Sequence, residues 1–292
     1  MMKASVHLRG FTLVEMIVVI VITGIIAGIV AIFIKAPVQG YVDSARRAEL
    51  TDIADTAFRR IARDLRLALP NSVRRSGTCD GTATCFLEFI PTVGGGRYRS
   101  SAGAGVLCGG SADGDALSFA AADTCFEVFG QMPQQVVIGD QIVVYNTGQA
   151  GANAYAGNTL ATHNRRVVSG VGAQTISITS TAKLPLDSCV TDITGAVVGG
   201  CRFQVVQSPV TYVCDAANQK LVRWQGYPIA ATQPTTLPAG ATEALLANSV
   251  SNCDFLYNAI SQRSGLVTMR LAISEQGESV SLYNAAHVNN LP

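Results

Sequence analysis

The stretch GFTLVEMIVVIVITGIIAGIVAIFIK, residues 10–35, decides how the rest of the chain is read. Between Phe11 and Ile34 it is apolar almost throughout, and its one charge is Glu15. As a helix rising roughly 1.5 Å per residue it reaches about 36 Å. A bilayer's hydrocarbon core is about 30 Å thick, so this length spans it. A carboxylate at membrane depth costs roughly 2.5–3.5 kcal/mol or more and calls for a partner.

Residues 1–10 form a short leader carrying Lys3 and Arg9, which the positive-inside tendency leaves in the cytoplasm. A secretory signal peptide fits poorly. Its apolar core is usually about 7–15 residues and ends at a small-residue cleavage site. Here the run is longer, and Gly24, Ala27, Gly28 and Ala31 lie inside it. A plain signal anchor has no use for Glu15. Gly24 and Gly28 also make a G-x-x-x-G spacing, which permits close helix contact in lipid.

Gly10-Phe11-Thr12-Leu13-Val14-Glu15 resembles the processing site of type IV prepilins and of type II secretion pseudopilins. A short basic leader, Gly then Phe, Glu fifth after the glycine and an apolar helix follow the family pattern. The resemblance implies that prepilin peptidase cuts between Gly10 and Phe11 and that Phe11 becomes N-methylated. It further implies that Glu15 pairs with the free amine of a neighbouring subunit, a contact that sets register more than it adds stability. The implied partners are the peptidase, other major and minor pilins, an inner-membrane assembly platform, and membrane lipid before assembly.

Pro37 predicts a kink or short break just past the apolar run. Residues 38–69 then read as an amphipathic helix. Val42, Ala45, Ile53, Ala57, Ile61, Leu65 and Ala68 make its apolar stripe, and Pro70 and Asn71 its stop. Residues 36–74 resemble the segment that follows the anchor in minor pilins of the mannose-sensitive haemagglutinin (MSHA) pilus type. Arg59, Arg60, Arg63 and Arg66 cluster there, but Asp64 interrupts them, which favours a solvated or subunit-facing surface over nucleic acid.

Beyond Ser72 the charges thin out and Gly, Ser, Thr, Ala and Val rise. Strands are expected at residues 85–90, 136–138, 141–145, 175–179, 203–206, 210–213, 220–224 and 267–273. Residues 94–96, 100–110, 148–157 and 233–240 read as loops. The predicted class is α+β. A long N-terminal helix packs on a β-rich antiparallel head, divided as leader 1–10, transmembrane helix 11–35, amphipathic continuation 36–70 and disulfide-bonded head 71–292.

All eight cysteines fall in the head: Cys79, Cys85, Cys108, Cys125, Cys189, Cys201, Cys214 and Cys253. An even number on the outer side of the membrane argues for disulfides. Eight cysteines admit many pairings, and the simplest joins sequence neighbours, 79–85, 108–125, 189–201 and 214–253. No C-x-x-C cluster suggests zinc.

The chain has three histidines, His7, His163 and His287, and no nucleophile elbow, metalloprotease helix or phosphate loop. Asp113-Gly114-Asp115 is calcium-loop-like in character but lacks the ligand spacing, so a solvated turn is the better reading. Trp224 and Tyr227 beside Arg223 could make a sugar-stacking platform; burial of the only tryptophan is the better default. A formal net charge of +1 carries no polyanion-binding message. No catalytic residue, metal, cofactor or nucleic acid is expected. The readings that remain are a minor pilin, a type II secretion pseudopilin, and an adhesin whose head binds a surface ligand.

Overall fold

The computed structural model describes residues 10–81, 83–105, 108, 113–133, 136–156, 164–180, 182–259 and 263–292. The chain forms two compact units, divided between Glu49 and Leu50. Helix α1 (Leu13–Arg66) is one α-helix of 54 residues with Pro37 inside it. The break expected at Pro37 does not occur. Proline removes one backbone hydrogen bond, and with helical turns on both sides the backbone continues through the loss.

In the first unit, residues 10–42 are all exposed. Among the described residues α1 is the one helix long and apolar enough to cross a membrane, and none of its apolar window is buried. The Thr23 hydroxyl is satisfied inside the helix, donating to the Val19 carbonyl at 2.7 Å. This polar residue therefore brings no unpaired hydrogen-bonding group into the apolar run.

The inward stripe of the second unit begins only at Leu50. Leu50, Ala54, Ala57, Phe58, Ile61 and Leu65 are buried, whereas Val42 and Ala45, expected in the stripe, are exposed. α1 also stops at Arg66, short of Pro70. Leu67 and Ala68 donate to the carbonyls three residues back, tightening the last turn. Leu69 N–H then donates to the Ile90 carbonyl and Thr92 N–H to the Leu67 carbonyl, both at 2.7 Å. Pairing with residues 90–92 draws the chain out of the helix before proline can end it.

The head is antiparallel throughout. One five-stranded sheet has the order β1 (Arg74–Gly77), β2 (Cys85–Phe89), β13 (Val210–Asp215), β14 (Lys220–Gln225) and β15 (Thr242–Ala247). A closed six-stranded barrel runs β12 (Arg202–Val206), β3 (Thr92–Tyr98), β6 (Cys125–Phe129), β9 (Thr175–Thr179), β8 (Arg165–Val171), β7 (Gln141–Val144) and back to β12. A three-stranded meander holds β16 (Val250–Ala259), β17 (Ser264–Glu275) and β18 (Glu278–Asn289). Two short pairs, β4 (Gly103–Ala104) with β5 (Asp113–Gly114) and β10 (Val190–Thr191) with β11 (Val197–Gly199), complete it.

The stripe of α1 joins Leu87, Phe89 and Tyr212 of the five-stranded sheet and Phe255, Met269 and Leu271 of the meander in one core. Each large apolar side chain buried there stabilises by roughly 1.5–3 kcal/mol. The barrel has its own core, with the rings of Phe126 and Phe203 edge to face at 5.4 Å.

Three expectations for the head are corrected. Within residues 100–110, read as a loop, Gly103 and Ala104 form β4 and pair with β5. Residues 94–96, read as a loop, lie in β3. Gly96 sits opposite Phe203, and a Cβ on it would come within 2.8 Å of the phenyl ring. The glycine makes room for an aromatic side chain in the adjacent strand. Residues 136–138, read as a strand, form a turn, because the Asp140 carboxylate accepts the Val137 N–H at 3.0 Å. That side-chain bond takes a donor that a strand ladder needs.

The four disulfides are Cys79–Cys85, Cys108–Cys125, Cys189–Cys201 and Cys214–Cys253. The first closes the β1–β2 hairpin and the third closes the β10–β11 hairpin. The fourth ties β13 of the five-stranded sheet to β16 of the meander.

Candidate functional site

The first turn of α1 is built by its own side chains. Thr12 precedes the helix, and its hydroxyl accepts the Glu15 N–H at 3.3 Å while its carbonyl accepts the Met16 N–H at 3.2 Å. Thr12 is therefore the N-cap, and Thr12-Leu13-Val14-Glu15 has the T-x-x-E spacing of a capping box. Sequence reading passed over Thr12, although that spacing was there to find. Glu15 lies where the helix dipole favours negative charge by about 0.3–1 kcal/mol. This is less than the cost of holding a charge in lipid. Among the described residues its exposed carboxylate has no partner. The first turn thus presents a carboxylate that no described residue pairs with.

Gly10 and Phe11 lie just ahead of the helix, and Phe11 is 78 % exposed. A Cβ on Gly10 would meet nothing within 4 Å. The fold places no demand for glycine there. The same holds for Gly24, Gly28 and Gly40 along α1. If these positions need small residues, the need comes from molecules that approach the helix.

In the second unit, Asp64 joins α1 to the five-stranded sheet. Its Oδ2 accepts from the Tyr212 hydroxyl at 2.7 Å and from Arg223 Nε at 2.9 Å, and Arg60 reaches Oδ1 at 3.4 Å. Burial, followed by the nearby Asp64 charge, raises the Tyr212 pKa far above the usual tyrosine range. A second cluster centres on Glu88, which is fully buried. Arg74 Nε donates to Oε2 at 2.6 Å and the Tyr227 hydroxyl donates to Oε1 at 3.2 Å. Burial outweighs Arg74 and keeps the Glu88 pKa above its ordinary 4.5. Both carboxylate oxygens are occupied away from solvent, which suits a structural role better than proton transfer to a substrate.

Trp224 is buried against Phe86 and donates from Nε1 to Glu243 at 2.8 Å, while Tyr227 is buried beside it. No face of this pair is free to stack on a sugar. Asp113 and Gly114 form β5, paired with β4. Among the described residues no group of three or more His, Cys, Asp or Glu side chains is placed to hold a metal. His287 is exposed on β18; His7 and His163 lie outside the described residues.

A family model described as the prokaryotic N-terminal methylation motif matches residues 8–31. The match runs from the end of the leader through Gly10, Phe11 and Glu15 into the apolar part of α1. It supports a protein of the type IV pilin and pseudopilin kind, processed by prepilin peptidase and assembled with other pilins. No curated protein and no solved structure matches the chain.

Proposed function

We propose that this chain is a prepilin that matures into a minor, MshO-like subunit of a type IV pilus. The observation that carries the reading is the first turn of α1. A capped helix start displays a carboxylate with no partner among the described residues, at the head of an apolar stretch exposed through residue 42 and just after a glycine that no described neighbour requires. Residues 1–10 are the leader, residues 11–35 the membrane and assembly helix, residues 36–70 its amphipathic continuation, and residues 71–292 the head.

The mechanism is mechanical. Before assembly the helix lies in the inner membrane, with the head on the periplasmic side, where an oxidising compartment maintains the four disulfides. Cleavage after Gly10 creates a free amine at Phe11. Glu15 of one subunit pairs with the amine of the next, so the cost of a carboxylate in lipid opposes any other register. The exposed apolar surface of α1 then packs on other pilin helices, and the subunit enters or primes the filament tip.

Quantitative mass spectrometry of filaments sheared from cells tests this. The expected result is the chain at a small fraction of the major pilin, beginning at N-methylated Phe11. A processed chain that is never released with filaments would point instead to a type II secretion pseudopilin.

A further inference from the structure

The outer edge of β18 differs from the other long sheet edges of the head. β18 runs Glu278–Asn289, and its twelve residues pair with β17 without a register shift. No described strand pairs with its other side. Exposed edges are normally blunted by shortness, bulges, proline or lysine. β1 has four residues and carries Arg74 and Arg75, while β15 has a register shift and an ion pair from Glu243 to Lys220. β16 has a register shift, and Cys253 N–H donates to the Gly81 carbonyl. β18 contains no proline, lysine, arginine or bulge.

The direction of its free groups follows from the ladder. Asn290 N–H donates to the Arg263 carbonyl at 3.0 Å, immediately beyond the last strand pair. Alternation of an antiparallel ladder then turns the N–H and C=O groups of Ser281, Tyr283, Ala285 and His287 away from β17. Beside this edge a cleft of about 450 Å³ lies between β18 and α1, lined by Arg59, Arg63, Arg66, Asn284, Ala285 and His287. The three arginines are spaced i, i+4, i+7 on one exposed helix face. Arg59 pairs with Asp55; Arg63 and Arg66 have no ion-pair partner among the described residues. The helix dipole favours cations in the last turn, but the row continues a further turn back to Arg59.

We infer that the β18 edge is a docking site for an extended, carboxylate-bearing segment of another polypeptide. The segment adds as a further strand of the meander. Its backbone pairs with the outward groups of β18, and alternate Glu or Asp side chains on the helix side meet Arg63 and Arg66. The edge selects an extended chain and the arginines select its charge. The site would serve in a pilus or in a secretion machine, so it does not depend on which of these the protein belongs to.

The test uses the full chain in detergent micelles and a fluorescent eight-residue peptide of alternating Thr and Glu. The peptide should bind and slow amide exchange across residues 281–287. Affinity should fall about tenfold or more in Arg63→Glu/Arg66→Glu, whose side chains are exposed. Ala285→Pro should weaken binding similarly, since the N–H it removes is not used by β17. A peptide of alternating Thr and Lys should not bind. Absence of binding by the Glu peptide, binding without protection of residues 281–287, equal binding of the Lys peptide, or an unchanged affinity in the double-arginine variant would each overturn the assignment.

Discussion

The hydroxyl of Tyr212 donates to Asp64 at 2.7 Å across 148 residues of sequence, and Arg223 Nε approaches the same carboxylate oxygen at 2.9 Å. The side chains of Asp64 and Arg223 are 12 % and 11 % exposed. Greasy contacts hold α1 on the five-stranded sheet but tolerate sliding by small amounts. A three-group polar contact does not, so Asp64 fixes the position of the last two turns of the helix on β13 and β14. Replacing it by alanine leaves a guanidinium and a phenol without their acceptor. The expected loss is about 2–4 kcal/mol. It is measured by urea denaturation of the full chain in micelles, followed by Trp224 fluorescence. Tyr212→Phe, which removes a single donor, should cost about 1 kcal/mol.

Processing and assembly should separate genetically. A Cβ at Gly10 meets no described atom within 4 Å, so Gly10→Val should leave the fold of the described residues unchanged. The mature band should nevertheless disappear from an immunoblot, because the added side chain fills the space the peptidase needs. Glu15→Ala should be cleaved normally yet recovered in sheared filaments at about a tenth of the wild-type level or less, if Glu15 makes the register contact proposed above.

Glu88 should leave a pH signature. Its folded-state pKa lies above its ordinary value, so the folded state holds the proton more tightly than the unfolded chain does. The stability this contributes is fully present below about pH 4.5 and is lost as pH rises through the folded-state value. The difference in urea midpoint between wild type and Glu88→Gln should therefore shift against the wild type between pH 4 and pH 7 (about three pH units). A difference independent of pH would show that Arg74 compensates burial completely.

Cys214–Cys253 closes the longest of the four disulfide loops, with a sequence separation of 39, and is the one joining two sheets. On the chain-entropy account its removal costs about 4 kcal/mol. The double replacement Cys214→Ser/Cys253→Ser should lower the unfolding midpoint well below that of Cys189→Ser/Cys201→Ser, whose loop is shorter and closes a single hairpin. Parallel denaturation curves of the two variants decide it.

Gly96 has a packing reason to be glycine. Gly96→Ala pushes a methyl toward the Phe203 ring, for which overpacking costs about 1–3 kcal/mol. The double variant Gly96→Ala/Phe203→Leu should recover part of that loss relative to the two single changes combined, as expected for residues in direct contact.

Much of this molecule is written in local sequence. The α+β class, the exposed apolar helix with its single carboxylate, and strands such as β9 and β13 follow from apolar runs, alternation and turn residues a few positions apart. The Thr12 cap was equally local and readable from its spacing to Glu15. What local patterning could not decide was which distant groups would meet. Closure of the barrel depends on β12 finding both β3 and β7, residues 94–96 become a strand because Phe203 covers them, and α1 ends at Arg66 because residues 90–92 pair with the Leu67 carbonyl and the Leu69 N–H just beyond it. Pro37 was overridden in the same sense, its one lost bond being small against a 54-residue helix. Sequence by itself determined the long apolar helix and its single carboxylate, since both are read from composition along one continuous segment. Only the tertiary structure decided the start of the buried stripe at Leu50, the Asp64 contact and the open edge of β18, since each depends on pairing between residues far apart in the chain.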